Sequence, residues 1–537
     1  MVFRDLLQFL PASLEQLVAS LTKTGREKFI NLHKVVADMC PNSDVAFLER
    51  KGVFCYDYIE SFERLEERKL ANREAFFNKL SGEECTEADY AHVNHVWTEF
   101  NCNTLNDYMS LYLLSDICLL ADVFDTFRTN SLEEYQLDPA YYVSVPQLAW
   151  NALLKFINQP IPLITDPEMY RLIQPNIRGG ICHASVRYGR ANNKLMESLY
   201  DPTKPISFIM DVDANNLYGW AMSQPMPNGD FEWLSDAECR EMEQRLKYKR
   251  KRNKIFTQNQ SYIFEVNLDY PQELNERDDD YPMAPELMTI EAEITGEKQH
   301  ELHAQYFGAA CPFTRKLVCS FLPKKHYVVL GQLLAFYLDR GMILVSVHRA
   351  ISFSSSPYVA GYIANNTAKR QQYKHDDVKK SFYKLMNNAP SENTIENVAR
   401  RSDIRLLNDM EKARKLAEKP HCVDFRVFDG NVKQYPTEME EQDRALVGIE
   451  MRKLNHFINK PFAKCVCVLE WSKFKMYAPI LCIIFKIHIS ILVCFIYRYT
   501  FYALLKDKTL SATKTVCCIR TQIRSSYSSS LMTLRRR

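Results

Sequence analysis

One segment constrains the fold of this chain more than any other. ISFIMDVDANNLYG, residues 206–219, is an apolar run that reads as a buried strand and ends on two carboxylates before an Asn-rich turn. A carboxylate at the end of an interior strand is costly unless it is paired or metal-bound, and Asp211 and Asp213, two residues apart, share one face. On the residues alone a structural pair of acids is the commoner explanation and a ligand pair the rarer. The NNLYG that follows adds an aromatic residue, Tyr218, five positions after Asp213.

The rest of the chain has a mixed texture. Residues 1–150 read as mostly helical: FRDLLQFLPASLEQLVASL has apolar residues at helical spacing around a proline break, and LNDYMSLYLLSDICLLADVFDTFRTNSLEEY is a long amphipathic pattern. YIFEVNLDYP alternates as a strand. KKHYVVLGQLLAFYLDRGMILVSVHRAISF reads as strand, helix, strand, and YIANNTAKRQQYKHDDVKKSFYKLM as one polar helix. ALVGIEMRKLNHFINKPFAKCVCVLEWSKFKMY reads as strand, then helix. The chain is therefore α+β, with a helical N-terminal part, a mixed central part and no repeat.

With 537 residues and 46% hydrophobic side chains, a length of three or four domains, burying a core is no difficulty. Sixteen Cys without a CxxC pair or zinc spacing read as reduced, intracellular thiols, and MVFRDLLQFL carries no secretory signal pattern. The net charge of +2 hides a break: residues 478–537 hold ten Lys/Arg and one acid, Asp507, leaving 58 basic and 65 acidic residues before them. APILCIIFKIHISILVCFIYRY has the length of a membrane helix but is interrupted by Lys486, His488 and Arg498. The Ser/Thr/Arg-rich end, taken alone, reads as a disordered basic tail.

MDVDANNLYG together with KLMNN at 384–388 resembles motifs A and B of family B DNA polymerases, most closely the protein-primed branch of virus-derived transposons and linear plasmids. FRDLLQFLPASL, YDYIESFERL, AHVNHVWTEFN, YLLSDICLLADVF, DPAYYVSVPQLAW, IRGG, DANNLYGWAMSQPMP, FYKLMNN, TIENVARRSDIRL and GIEMRKLNHFINKPF are similar to segments of that branch, in order, through most of residues 1–477. The resemblance implies a partial right-hand polymerase, its palm built on a mixed or antiparallel sheet and its fingers helical, preceded by the C-terminal part of a ribonuclease H-like exonuclease domain. It divides the chain into a partial 3′–5′ exonuclease domain (1–150), a palm with inserted segments (151–350), fingers (351–400), palm continuation (401–477) and an aberrant tail (478–537).

The implied reaction is template-directed nucleotidyl transfer, in which two divalent ions about 3.5 to 4 Å apart stabilise the entering and leaving oxygens. By resemblance Asp213 is the catalytic, metal-binding carboxylate and the Ala214 carbonyl helps hold the nucleotide-side Mg2+ (or Mn2+). Tyr218 packs under the sugar, Lys384 meets the triphosphate with Arg370 or Lys369 as second cation, and Asn388 lies near the templating pair. Asp211 stands where the family more often has an apolar or aromatic residue and is accessory at best. After Asn388 the family expects an aromatic residue and a glycine; this chain has Ser391 and Glu392, placing a side chain and a negative charge where the backbone should approach the template, so weakened binding is expected. The implied partners are DNA template-primer, deoxynucleoside triphosphates and a terminal, priming protein, without a membrane, in an intracellular, nuclear setting.

YLLSD places Tyr112 and Asp116 one helical turn apart and resembles the third exonuclease motif, where the aspartate binds metal and the tyrosine orients water. The first two motifs are expected upstream of FRDLLQFLPASL, so proofreading should be absent. RLKYKRKRNK, 245–254, reads equally as a nucleic-acid contact, a nuclear address or a solvated loop.

Motif C, Tyr-x-Asp-Thr-Asp-Ser, should follow KMY (475–477) and does not; Asp507 sits in LLKDKT instead. Removing 478–499 joins KMY to TFYALLKDK, so that segment reads as translated intron. CCIRTQIR at 517–524, read two bases later, permits Leu-Tyr-Thr-Asp-Thr-Asp-Ser. The chain is thus read as a degenerate polymerase with little or no activity. A non-catalytic nucleic-acid-binding remnant and a membrane-anchored protein are the alternatives. Transcript sequencing across 470–537 is expected to reveal motif C in the second frame; a transcript that encodes CCIRTQIR in the main open frame contradicts that reading.

Overall fold

The structure is a computed structural model that describes residues 5–181, 188–252, 254–257, 259–279, 281–289, 297–308, 315–398, 401–428, 446–455, 457–486, 491–494 and 518–522, with 210–213, 299, 479–486, 491–494 and 518–522 described by backbone alone. Contacts divide the chain into two units. The first comprises Met1–Pro160, Tyr218–Gln224 and Pro357–Asn393; the second comprises Ile161–Leu217, Pro225–Ser356 and Thr394–Arg537.

The first unit is organised by the helix Leu105–Tyr135. Thr104 and Asp107 close a capping box at its start, and Gln136, in the left-handed region at φ 53°, ends it. Leu105, Tyr108, Leu111, Tyr112, Leu119 and Val123 form its buried stripe against the helices Leu14–Thr22 and Ile30–Met39. Asp122 on that stripe is 1% exposed. It accepts hydrogen bonds from the backbone N–H groups of Asn31 (2.7 Å) and Leu32 (3.1 Å) and from the Asn31 amide (2.9 Å). The helix Ile30–Met39 has no side-chain cap from its own N-cap residue, Phe29, so Asp122 satisfies first-turn donors that would otherwise be orphaned.

Further along the same helix, Phe127 and Tyr135 meet Phe382 and Tyr362, and the Tyr135 hydroxyl donates to Asn366 at 2.7 Å. These partners belong to two helices, Ala360–Gln372 and Asp377–Ile395, where the sequence pattern reads as one. The break has a local cause. The side chain of Asp376 accepts from the N–H of Lys379 (2.9 Å), which starts a new helix inside the polar run. That second helix continues through Pro390.

The second unit is built on a four-stranded antiparallel sheet, in the order Met226–Trp233, Ile343–Ser356, Gln260–Asp269, Lys324–Leu330. Tyr262, Phe264, Val266 and Leu268 face a core shared with the helices Asp236–Lys247 and Gly331–Asp339. The alternation read in YIFEVNLDYP implies one wet face, but Ile263 and Glu265 are buried as well. Arg349 (2.7 Å) and His326 (3.0 Å) bracket the Glu265 carboxylate and cover that side.

Phe208–Asp213 forms a separate three-stranded sheet, parallel to Ile491–Cys494 on one side and Cys518–Gln522 on the other. A third sheet sets Leu446–Arg452 between Ser402–Leu407 and Cys422–Phe428, all antiparallel. The helix Phe462–Lys486 runs past the composition break at 478. Among the described residues no helix is long and apolar enough to cross a membrane. The rest of the tail, including Asp507 and most of the apolar segment beyond Lys486, lies outside the described residues.

The IRGG segment is pinned by a buried ionic network. The Arg178 guanidinium lies 3.9 Å over the Tyr327 ring and donates to the Val328 carbonyl. Lys473 donates to the Arg178 carbonyl (3.0 Å) and to Glu470 (2.8 Å), which also stands 3.9 Å from Arg178. Burial pulls the Lys473 ammonium below its ordinary pKa even with Glu470 beside it. Removing the shared anion leaves two buried cations, so Glu470→Ala is expected to destabilise the second unit by about 3–5 kcal/mol in urea denaturation, and Glu470→Gln by less. A loss below ~1 kcal/mol for Glu470→Ala contradicts this.

Candidate functional site

The segment from 208 to 222 is a strand, a turn and a short helix. Phe208–Asp213 is extended, Asn216 takes a left-handed φ of 52°, and Leu217–Met222 is helical. Asparagine tolerates that backbone better than most residues, which accounts for NN at the turn. Ala214 and Tyr218 are half-buried and Gly219 is buried. The side chains of Asp211 and Asp213 lie outside what is described. At the register position beside Asp213 stands Gln522, an amide. Asp213 and Ala214 belong to the second unit, whereas Tyr218, Lys369, Arg370, Lys384 and Asn388 belong to the first.

The helix Asp377–Ile395 sorts its residues by face. Phe382, Tyr383, Met386 and Asn387 are buried; Lys384 is exposed, Asn388 half-buried and Glu392 exposed. Positions 384, 388 and 392 are one turn apart each, so they form a single stripe, with Lys384 and Glu392 separated by about 12 Å along the axis at ~1.5 Å per residue. The Tyr362 hydroxyl donates to the Met386 carbonyl (3.1 Å) and the Asn387 amide to Thr367 (3.2 Å), fixing the stripe's orientation within its unit. Pro390 has no N–H to give the Met386 carbonyl four residues earlier, and the Tyr362 hydroxyl supplies that carbonyl's donor instead; Ser391 Oγ donates to the Asn388 carbonyl at 2.8 Å.

The structure distinguishes the two candidates for a second cation. Lys369 is held by Glu134, which also accepts from the Tyr383 hydroxyl at 2.9 Å. Arg370, half-buried on the same helix, has no ion-pair partner among the described residues. Both stand on a helix different from that of Lys384, so the three cations do not share one helix face. Glu392 is exposed, yet desolvation by its surroundings raises its carboxyl pKa from the usual glutamate value.

Tyr112 and Asp116 lie one turn apart on Leu105–Tyr135, and the structure adds residues that no sequence spacing indicated. Lys51 donates both to the Tyr112 hydroxyl and to Asp116 Oδ2 (2.5 Å for the latter), across 61 and 65 residues of chain. The Tyr56 hydroxyl is 2.6 Å from that of Tyr112, and Phe54 stacks on the Tyr112 ring at 5.3 Å. Gly52 lies close against that ring: a Cβ there would sit 3.4 Å from Tyr112 Cδ2. Burial, the bond with Tyr56 and the charge of Asp116 push the Tyr112 phenol pKa up. Asp116 Oδ1 is buried without a hydrogen-bond partner among the described residues.

The family model for DNA polymerase type B, organellar and viral, matches residues 1–296, more than half of the chain, and the chain belongs to that family. No curated protein matches the chain closely enough to be counted a relative. Among solved structures, Phi29 DNA polymerase in its orthorhombic crystal form matches at 10% identity and TM-score 0.39, over 81% of this chain and 57% of that one. Phi29 DNA polymerase complexed with primer-template DNA matches at 10% and 0.35, over 79% and 55%. Its ternary complex with primer-template DNA and incoming nucleotides matches at 10% and 0.34, over 80% and 57%. The chain spans little more than half the length of these structures.

Polymerases of this family generally use divalent metal ions. Among the described residues no three His, Cys, Asp or Glu side chains gather to hold a metal, and one oxygen of Asp116 is occupied by Lys51.

Because the folded pKa of Glu392 is raised, its charge costs stability once pH exceeds the ordinary unfolded value of ~4.3, and the cost persists at neutral pH. Glu392→Gln is therefore expected to raise the melting temperature at pH 7.5 and to lose that advantage near pH 4. An advantage equal at both pH values contradicts the assignment.

Proposed function

We propose that this chain is a DNA-directed DNA polymerase of type B by descent that binds primer-template DNA and deoxynucleoside triphosphates but turns over little or nothing as it stands. The observation that carries the reading is the family match through residues 1–296, which takes in the strand, turn and helix bearing Asp213, Ala214 and Tyr218. In this reading 151–350 and 401–477 serve as palm and 351–400 as fingers. Lys384 neutralises the triphosphate, and Arg370 is preferred to Lys369 as its helper because Glu134 already holds the latter. Asn388 lies beside the templating pair, and Tyr218 packs under the sugar.

Bound Mg2+ or Mn2+ would supply charge stabilisation to the entering and leaving oxygens. Asp213 with the Ala214 carbonyl offers a place for one ion, and two ions in line require a second carboxylate. Nucleotide and DNA binding need no such pair, so binding survives where turnover fails. A priming protein's hydroxyl as primer and a nuclear setting belong to the same proposal. With Asp116 bonded to Lys51, no hydrolytic role is assigned to the exonuclease remnant.

Primer extension with either ion is expected to give no incorporation above background. Lys384→Ala is expected to weaken deoxynucleoside triphosphate binding by about tenfold, the loss of one charge-assisted contact of ~1.4 kcal/mol, in a fluorescent-nucleotide displacement assay. Extension that disappears with Asp213→Ala overturns the inactivity, and nucleotide binding indifferent to Lys384 overturns the site.

A further inference from the structure

The basic run 245–254 takes no part in the chemistry above, and its charges divide sharply into held and free. Arg245 pairs with Glu241 (3.7 Å) and Lys247 with Glu243 (2.6 Å), both within the helix Asp236–Lys247. Arg252 is buried: it donates to the Leu246 carbonyl (2.8 Å) and to Asp339 (2.9 Å). Lys249, Arg250, Lys251 and Lys254 are exposed, and none has an ion-pair partner among the described residues. Tyr248, 59% exposed, stands beside them with the Lys251 ammonium 5.3 Å from its ring.

The run is folded. The N–H groups of Lys251 and Arg252 both bond the Tyr248 carbonyl, at 3.0 and 2.9 Å, and Lys254 N–H bonds the Lys251 carbonyl at 3.1 Å. Leu246 and Ile255, both in the core of the second unit, clamp its two ends. Four unpaired cations and an aromatic face are thus presented on a short turn that is held at both ends and pinned at Arg252, so little entropy is lost when they engage a ligand.

We propose that this turn is an additional nucleic-acid contact, in which Lys249, Arg250, Lys251 and Lys254 bind backbone phosphates and Tyr248 stacks on an unpaired base. Phosphodiester is the ligand whose charge density matches four cations within six residues, and an exposed aromatic among them is the feature of single-strand platforms. A nuclear-import receptor reads basic peptides in extended form, and this run could extend only by withdrawing Arg252 from Asp339 and the core. The proposal rests on the polymerase reading for its ligand but not for its residues, none of which belongs to the candidate nucleotide site.

The test is fluorescence anisotropy of the full chain with a single-stranded and a duplex oligonucleotide of mixed sequence, between 50 and 200 mM salt. Replacing Lys249, Arg250, Lys251 and Lys254 together with Ala is expected to reduce the slope of log affinity against log salt by about 3, four contacts at roughly 0.7–0.9 each. Tyr248→Ala is expected to weaken single-strand binding about tenfold and to leave duplex binding within twofold. An unchanged melting temperature of both variants, and a Lys249→Arg, Lys251→Arg, Lys254→Arg variant with the original slope, tie the effect to charge. An unchanged slope in the quadruple Ala variant overturns the proposal, as does an import receptor that captures the folded chain through these residues while its DNA slope stays the same. In either case nucleotide binding that still depends on Lys384 leaves the polymerase reading intact. A chain that binds neither DNA nor nucleotide overturns both.

Discussion

Two divalent ions in line need carboxylates that converge from more than one element, and this requirement governs how the whole chain is understood. The strand Phe208–Asp213 ends on the carboxylate proposed for that role, and the turn that follows depends on Asn216. Other parts of the chain are ordered without any such group. The stripe Lys384–Asn388–Glu392 is set by the tyrosine and threonine bonds of its helix, and the IRGG segment is locked by Arg178, Glu470 and Lys473. On the function proposed above, binding surfaces survive the loss of chemistry, because phosphate neutralisation and base stacking tolerate the absence of metal and bond transfer does not.

Charge placement points the same way at three positions. Lys51 neutralises Asp116, Glu134 holds Lys369, and Glu392 introduces an anion on the face that presents Lys384. The first two satisfy groups that would otherwise face their own unit unpaired. The third is not satisfied by any ion pair among the described residues, and its raised pKa records the cost. In the proposed site, where Lys384 meets the triphosphate, a carboxylate two turns along the same stripe opposes the approach of nucleic-acid backbone.

Much of this was legible in the residues because the signals are local. The helix Leu105–Tyr135 follows from its apolar period and its Thr104–Asp107 start, and the strand-turn-helix at 208–222 from an apolar run meeting NNLYG. The strands Ser402–Leu407 and Cys422–Phe428 escaped notice because Ile404, Leu406, Val423 and Phe425 are exposed, so burial did not impose a pattern. The division of the polar helix at 373–376 turns on one capping side chain, Asp376, inside a run of similar polarity. Lys51 and Glu134 could not be found by spacing at all, since their partners lie 65 and 235 residues away and come near only in the folded unit. Ion pairs at that separation are consequences of packing.

In the function proposed above, a missing second carboxylate, and not a damaged fold, is what prevents turnover. The most direct measurement is primer extension by a chain from which residues 478–499 are removed and the codons after Lys508 are read in the frame that spells Tyr-Thr-Asp-Thr-Asp-Ser, compared with the chain as it stands. The account predicts incorporation by the restored chain, lost again on Asp213→Ala, and none by the original. Equal extension by both, or none by a restored chain that binds DNA and nucleotide normally, contradicts it.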